Sequence, residues 1–445
     1  MASDLLSIGA SGARAARSAL DVTAQNIANA SSDGYVRRSV RLEEVSAAGG
    51  QLRIGDISLS GVRIAGIARN ADMFRQAEVR RTNADASRAT AELTGLQNIE
   101  SAIEQAGIFP AIVEFEGSLR QLESDPVDPS LRAAVVASAE TLASKFNIVA
   151  QSLDSVAQGA QFEAGAAVNE ANVLATELAR INVRLARAGA GSSDRASLLD
   201  QRDLMLERLS GIADIHTTFA TDGGVTVRVA GSSGPVLVAG GNTSPVGMTV
   251  AGDGTLAFDV GGTAVSLSGG SLAGRALVLV DVVAARTRLD TLASDIATLV
   301  NDSQAAGAAL DGSAGQPMFT GTTAGTLRMA FTDGTLIATA PLGSPAGSRD
   351  ASRLIALRSA FETDGAAEQM NNILFDVSSR VASHEITTEA LDAIASSARI
   401  SLEQQAGVDL DTEAANLVRY QQAFQASARA MQAASDIFDT LIGIG

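Results

Sequence analysis

Residues 407–442 read GVDLDTEAANLVRYQQAFQASARAMQAASDIFDTLI. Taken at a four-three spacing, Ala414, Leu417, Gln421, Phe424, Ala428, Met431, Ser435, Phe438 and Ile442 form one line down a helix, apolar except at Gln421 and Ser435. A repeat of about 3.5 residues calls for a partner helix, because a lone α-helix at about 3.6 residues per turn lets such a line drift around its surface. The other end of the chain supplies one. Leu5, Ile8, Gly12, Ala15, Ala19 and Val22 repeat at the same spacing, with small residues where the C-terminal segment offers Phe, Met and Leu. Large knobs on one terminus are expected to face shallow holes on the other. The N-terminal stripe is too rich in Ala and Gly to form a strong core alone, so the expectation is a terminal coiled coil whose folding is coupled to assembly with neighbouring subunits.

Composition narrows the rest. The 445 residues are 46% hydrophobic and only 3% aromatic, without tryptophan, so cores must be built from Ala, Leu, Val and Ile in many small contacts, which favours long helices. A net charge of −17, with no basic run to reverse it locally, repels a phosphate backbone and argues against nucleic acid as a partner. The absence of cysteine removes disulfides, thiolate metal sites and cysteine nucleophiles. Asp4 sits where a signal peptide would be cationic, and the run Ala276–Val280 is stopped by Asp281, far short of a membrane span. Export, if it occurs, is expected to use an uncleaved signal, with no membrane insertion.

Along the chain, a first helix is expected from Ser3 to Ala30, ended by Ser31-Ser32-Asp33-Gly34, with an extended segment from Tyr35 to Leu42 and a hinge within residues 51–67. A polar helix follows from Asp72 to Gln105, ended by Gly107 and Pro110, and Asp125-Pro126-Val127-Asp128-Pro129 forms a rigid turn. Val135, Ala139, Leu142, Phe146, Val149, Leu153 and Val156 keep heptad spacing, as do Ala167, Ala171, Leu174, Leu178, Ile181, Leu185 and Ala188. These are expected to be long antiparallel helices. Leu198–Leu209 is a further helix, whose Asp200-Gln201-Arg202-Asp203 is read as a solvated face with local ion pairs. From Ile215 to Gly270 the glycines, the alternation in Val225–Val229 and turns such as Asp253-Gly254 read as a small antiparallel β insert. Helix returns from Asp281 to Ala306, loop and strand from Gly307 to Gly347, and helix from Asp350 to the end, where Leu374, Val377, Val381, His384 and Thr388 carry a heptad line.

The fold class is therefore mainly α, with long antiparallel helices, a terminal coiled coil and an inserted antiparallel β domain. Three units are expected: residues 1–45 with 406–445 as the coiled coil, 46–214 with 281–306 and 350–405 as a helical rod, and 215–280 with 307–349 as a β-rich outer insert.

Catalytic constellations are thin. His384-Glu385 begins like a zincin motif, but position 388 is Thr where the second ligand belongs, and His216 is the only other histidine. No Gly-x-Ser-x-Gly elbow, Walker lysine loop or dinucleotide-type Gly-x-Gly-x-x-Gly occurs. Asp/Gly turns of the β insert could meet Ca²⁺, yet none follows an EF-hand or nonapeptide repeat. No enzymatic activity, cofactor or metal is expected.

A family likeness accompanies this reading. Ser11-Gly12-Ala13, Leu20, Asn26-Ile27-Ala28-Asn29-Ala30 and Asp33-Gly34-Tyr35-Val36-Arg37 resemble the N-terminal signature of bacterial flagellar rod, hook and hook-associated proteins. Gly407–Leu417 followed by Arg419-Tyr420-Gln421-Gln422-Ala423-Phe424-Gln425-Ala426 resembles the FlgK family of hook-associated, hook-filament junction proteins, since Tyr-Gln-Gln differs from the Gln-Arg-x-Tyr of rod and hook proteins. Residues 125–147, 198–203 and 274–301 resemble segments of that family in order. The likeness is weakest over 215–270 and 307–347, where the chain is shorter than the longer members.

The resemblance implies a structural subunit forming the junction ring between hook and filament, on which filament assembly is templated. It implies extracellular placement on the flagellum after type III flagellar export without a cleaved signal. The implied partners are further copies of the chain in a ring, the hook protein, the second hook-filament junction protein and a flagellar export chaperone. Candidate assembly residues are Leu5, Ile8, Gly12, Ala15, Ala19 and Val22 on the first helix, and Asn26, Asn29, Gly34 and Tyr35 where it ends and turns. On the last helix they are Leu410, Leu417, Tyr420, Gln421, Phe424, Met431, Phe438 and Leu441. A hook or rod subunit is the alternative, for which more β structure between the termini is expected. A secreted adhesin or Ca²⁺-binding surface protein acting through the β insert is an alternative of another class.

Overall fold

The computed structural model describes residues 2–45 and 61–444, with side chains described from residue 5 to residue 440. The hinge expected within 51–67 falls partly outside them. What is described at its end is a strand. The first helix, α1 (Ala2–Ala28), leads through a turn to β1 (Arg38–Glu44), which pairs antiparallel with β2 (Val62–Arg69). Asp72 then caps α2 (Met73–Ala106), its carboxylate accepting from the amides of Phe74 (2.9 Å) and Arg75 (3.1 Å), which satisfies donors the first helical turn leaves free. Gly107, at φ 68°, ends α2, and α3 (Ile108–Ser124) starts at once. Pro110 lies inside the first turn of α3, where a missing amide hydrogen costs nothing, and so opens a helix as much as it follows the end of one.

Asp128 caps α4 (Pro129–Leu185) in the same way, accepting from Ser130 (2.7 Å) and Leu131 (3.0 Å). The two heptad lines expected on separate antiparallel helices lie, all but Ala188, on this one helix of 57 residues, about 85 Å long. No proline or turn run separates them, and Gly159 and Gly165 cost roughly 1 kcal/mol each, which packing along the rest of the helix outweighs. The eleven-residue step from Val156 to Ala167 has a physical role. Three heptads carry a line backward around a straight helix, and a step of eleven turns it forward again.

After α4 come α5 (Ser193–Ile212) and seven strands: β3 (Ile215–Phe219), β4 (Val225–Val229), β5 (Val236–Ala239), β6 (Asn242–Thr243), β7 (Val246–Val250), β8 (Leu256–Val260) and β9 (Thr263–Val265). They form two antiparallel sheets, ordered β3-β4-β5-β6 and β7-β8-β9. Val225, Val227 and Val229 point inward onto α4 and α5, as the alternation predicts. Two asparagines of α4 pin the sheets: Asn182 accepts from the Val225 amide (2.8 Å) and donates to its carbonyl (2.9 Å), and Asn172 does the same for Val246 (2.8 and 3.0 Å).

The helix expected from Asp281 begins eleven residues earlier, as α6 (Gly270–Ala305). Gly274 is the point where α6 crosses α2, where a side chain would overlap the Arg88 carbonyl and crowd Ala91. Short pairs follow, β10 (Gly307–Ala308) with β13 (Ala340–Pro341) and β11 (Phe319–Thr320) with β12 (Arg328–Met329), and then α7 (Ser352–Asp364), α8 (Ala366–Ala406) and α9 (Leu410–Ile444).

Residues 307–349 do not join the sheets of 215–265. Met318, Phe319, Leu327 and Ile337 enter the core formed by α3, the first half of α4, α6, α7 and α8, where Phe115 meets Phe319 and Phe361 edge-on. The segment is held by its backbone. Buried Arg132 donates to the carbonyls of Pro126 (2.6 Å), Gly334 (3.0 Å) and Ile337 (2.9 Å), and Asn301 accepts from the amides of Met318 (2.8 Å) and Phe319 (3.0 Å). The sheets of 215–265 share a second core with the later half of α4, α5 and the start of α6. Helices α4 and α6 run through both cores, and α2, α6 and α8 pack together along the body.

Candidate functional site

Helices α1 and α9 pair antiparallel, within one chain, although the expectation left them apart until assembly. Their closest approach is at Gly9 and Gly12: a Cβ on Gly9 would lie 2.6 Å from Met431 Cγ, and one on Gly12 would lie 2.8 Å from Ser427 Oγ. Gly12, Ala15, Ala19, Val22 and Met431 therefore belong to the seam, with the three apolar α1 side chains buried and Leu417 and Tyr420 half-buried beside it. Other expected seam residues do not. Leu5, Ile8, Leu410, Gln421, Phe424 and Phe438 are exposed, as is Ala414, while Glu413 and Ala434 are buried. The seam of α9 is rotated by about one position from the expected line, because contact between small residues brings the backbones close and leaves the large apolar side chains outside. The side chain of Leu441 lies outside the described residues.

At the lower end of this pair the chain turns and meets the body. Asn29 closes α1 by donating to the Gln25 carbonyl (2.8 Å), and Gly34, at φ 72°, makes the turn with its Cα against Leu204 of α5. Asn26, 1% exposed, is the hub. Its Oδ1 accepts from the Arg38 amide (3.0 Å) and the Tyr35 hydroxyl (2.9 Å), and its Nδ2 donates to the Arg38 carbonyl (2.9 Å) and Glu413 Oε2 (3.1 Å). The other oxygen of Glu413 takes Arg37 Nε at 2.7 Å, and the Arg37 amide donates to the Ala406 carbonyl (2.8 Å). Asn26 and Glu413 thus join α1, β1 and α9, and the Arg37 amide adds the end of α8.

Behind Asn26 lies a second layer of charge. Arg38 reaches Asp200 Oδ2 (2.6 Å) and Ser197 (3.1 Å) on α5, while stacking at 4.8 Å on the Tyr35 ring. Arg69, at the end of β2, bridges Asp200 (2.7 Å) and Asp203 (2.9 Å). Asp203 also accepts from Gln76 (2.9 Å) of α2 and from Arg202 (2.6 Å). Arg202 continues to the Gly223 carbonyl (2.6 Å) and lies 4.4 Å over the Phe219 ring, which carries the network into the first sheet. The side chains of Arg38, Arg69 and Arg202 are at most 8% exposed, so these are desolvated charges held by matched partners.

The two aspartates are tuned in opposite directions. Burial pushes the Asp200 carboxyl above the ordinary aspartate value despite Arg69 and Arg38 beside it. Burial also opposes the charge on Asp203, yet Arg202 and Arg69 outweigh it and hold that carboxyl below the ordinary value. Burial raises the Tyr35 phenol, with Arg38 pulling against it.

The sequence reading placed Asp200-Gln201-Arg202-Asp203 on a solvated face, and the structure places all but Gln201 at the junction of termini and body. One signal was available. Leu198, Arg202, Leu206 and Leu209 fall on one face of α5, so Arg202 sits in an apolar stripe and needs a buried partner. Arg37, Arg38, Arg69, Gln76 and Glu413 were not singled out, because their partners are distant in sequence. Elsewhere, His384 on α8 faces Glu92 at 3.7 Å. Among the described residues no group of three or more His, Cys, Asp or Glu side chains is placed to hold a metal ion, and no helix is long and apolar enough to cross a membrane.

Comparison with known proteins agrees with this layout. A family model described as the flagellar hook-associated protein FlgK helical domain matches residues 93–319, while models for the flagella basal body rod protein and for the C-terminal region of the flagellar basal body rod proteins match residues 6–35 and 403–444. Paired termini with rod-protein character around a long helical body define the class: structural proteins of the flagellum. The chain belongs to the FlgK family of flagellar hook-associated proteins. It is 23% identical to flagellar hook-associated protein 1 of Bacillus subtilis over 97% of this chain and 96% of that protein. The protein of the same name from Escherichia coli is 28% identical over 54% of this chain and 43% of its own length. A solved structure, the flagellar hook junction protein FlgK from Burkholderia pseudomallei, aligns with a TM-score of 0.49 and 25% identity over 54% of this chain and 46% of that one.

Proposed function

We propose that the chain forms a ring of identical subunits at the distal end of the hook, joining hook to filament and templating filament growth. Its contacts there are the hook protein below and a second junction protein above. It leaves the cell through the flagellar export channel without a cleaved signal, escorted by an export chaperone. The observation that carries this reading is the division of labour at the termini. The collar of Asn26, Glu413, Arg38 and Asp200 fixes the α1–α9 pair to the body, while Leu5, Leu6, Ile8, Phe424, Ile437 and Phe438 of that pair stay exposed. Such an apolar surface on a fixed rod is suited to burial between copies. The match over residues 93–319 to the FlgK helical domain favours this reading over a hook or rod subunit, whose likeness is confined to the two ends.

The test uses the full chain in flagellated cells. Replacing Phe424 and Phe438 by Asp is expected to leave the monomer's unfolding midpoint unchanged, since both are exposed, and to yield hooks without filaments. Normal filaments on hooks carrying the double variant would contradict the proposal.

A further inference from the structure

Helix α8 is seated in two different ways along its length. Its first half places Ala366, Met370, Ile373, Val377 and Val381 among buried residues. Two ion pairs tie that half to α6, Asp376 with Arg288 (2.7 Å) and Arg380 with Asp281 (2.7 Å). Across residues 389–405, by contrast, no side chain is buried. The line Leu391, Ala395, Ala398 and Leu402, which continues the face that carries His384 opposite Glu92 of α2, is half-buried.

Cavities border this stretch on both sides of that line. Asp392, Ser396 and Arg399 border one of about 1010 Å³, and Ile394, Ser397 and Ser401 border one of about 540 Å³. At about 100° per residue these two sets lie on opposite sides of the helix. A third cavity, of about 1010 Å³, reaches from Arg399 and Glu403 to Tyr35 and Asp203 of the collar.

The ties across these spaces are polar. Arg399 pairs with Glu207 of α5, Arg75 donates to the Ser401 carbonyl (3.1 Å), and Asn70 donates to the Gln405 carbonyl (2.5 Å). The Arg399 side chain is 61% exposed, so water competes for its partner. Where the two halves of α8 meet, polar groups are loosely satisfied. Buried Glu92 has Arg88 at 3.5 Å and His384 at 3.7 Å, and the buried Thr388 hydroxyl has no hydrogen-bond partner among the described residues.

The charges of the collar bypass this stretch. Arg38 and Arg69 reach Asp200 and Asp203 on α5, and Glu413 ties α9 to Asn26 and Arg37. The Arg37 amide meets α8 at Ala406, which is buried and lies just beyond the stretch.

We infer that residues 389–405 are a yielding strut: latched by Arg399 on Glu207, they lift from α2 and reseat while the collar at one end and the core at the other stay closed. The body thereby has a place to change shape that leaves the seat of the termini undisturbed. Lifted from α2, so short a helical stretch is marginal in water, and each opening exposes its amides to exchange.

Hydrogen exchange of the full-length monomer, resolved along α8, tests this. Amides of residues 393–405 are expected to exchange at least about a hundredfold faster than those of residues 370–385. Arg399→Ala removes the latch and should speed exchange across 393–405 by about twofold or more, with residues 370–385 and the amides of Arg37 and Arg38 unchanged. Equal protection of the two stretches in the wild-type chain would overturn the inference. So would a loss of protection in the variant that spreads to 370–385 or to Arg37 and Arg38, because the strut would then open together with the core or the collar. Unchanged exchange over 393–405 in the variant would overturn it as well, since the strut would have no latch at Arg399.

Discussion

The seam between α1 and α9 and the collar beneath it lie within the same terminal unit and are built on opposite principles. The seam is apolar, small and shallow: Gly9 and Gly12 let the helices touch, and the large side chains of α9 remain in solvent. The collar is polar, deep and crowded, with Arg38, Arg69 and Arg202 matched to Asp200 and Asp203 and each set by more than one partner. Apolar contact is non-directional, and it leaves α9 with an exposed apolar face. Charge-assisted hydrogen bonds are directional, so the collar sets where that face points. A subunit that must meet its neighbours at a fixed angle needs both.

Removing one partner in the collar should have the largest effect. Asp203→Ala leaves Arg69 and Arg202 buried without their shared carboxylate, and a loss of about 3–5 kcal/mol is expected, read as a lower urea midpoint of the monomer. A change below about 1 kcal/mol would mean that the arginines find water and that the collar is loosely held. Next comes the seam. Gly12→Leu drives a side chain into Ser427 and should cost roughly 1–3 kcal/mol, confined to the helical signal of the termini, while the body unfolds as before. Equal loss in both would show that the seam and body form one cooperative unit.

The smallest effect expected is on the pH dependence. Asp203 has a lowered folded pKa, so its contribution is complete above the ordinary aspartate value of about 3.9 and disappears as pH falls through the folded value. Asp200 has a raised folded pKa, so as pH falls from neutral the folded state takes up its proton first and is favoured, until the unfolded chain is protonated as well. Urea midpoints measured from about pH 7 down to about pH 3 should therefore rise slightly and then fall. Asp200→Asn should remove the rise and Asp203→Asn the fall; the reverse assignment would contradict the electrostatics given for the pair.

Much of this architecture was legible in the sequence. The pairing of the termini follows from their matched spacing, and the turn at Gly34, the helix beginning near Asp72 and the alternating strand Val225–Val229 follow from local chemistry. The rotation of the seam does not. In a helix as rich in alanine as α9 several lines are nearly equivalent, and the choice falls to which backbones approach most closely. The continuity of α4 was hidden because two heptad lines offset by eleven residues look like two helices. Residues 307–349 were misplaced because Arg132 and Asn301, which hold their backbone, lie outside that segment. The collar was missed for a related reason: a charge's burial is decided by partners such as Arg38 and Asp200, 162 residues apart.

Hydrogen exchange of the monomeric full chain tests the central claim most directly, namely that the collar docks the termini before any assembly. The amides of Arg37 and Arg38, bonded to Ala406 and Asn26, together with the paired turns of α1 and α9 around Gly12 and Ser427, are expected to exchange at least about a hundredfold more slowly than unstructured chain. In Asp203→Ala that protection should fall while α4 and α6 keep theirs. Exchange at the unstructured rate throughout residues 2–28 and 410–440 of the wild-type monomer would contradict the claim and return the termini to folding only on assembly.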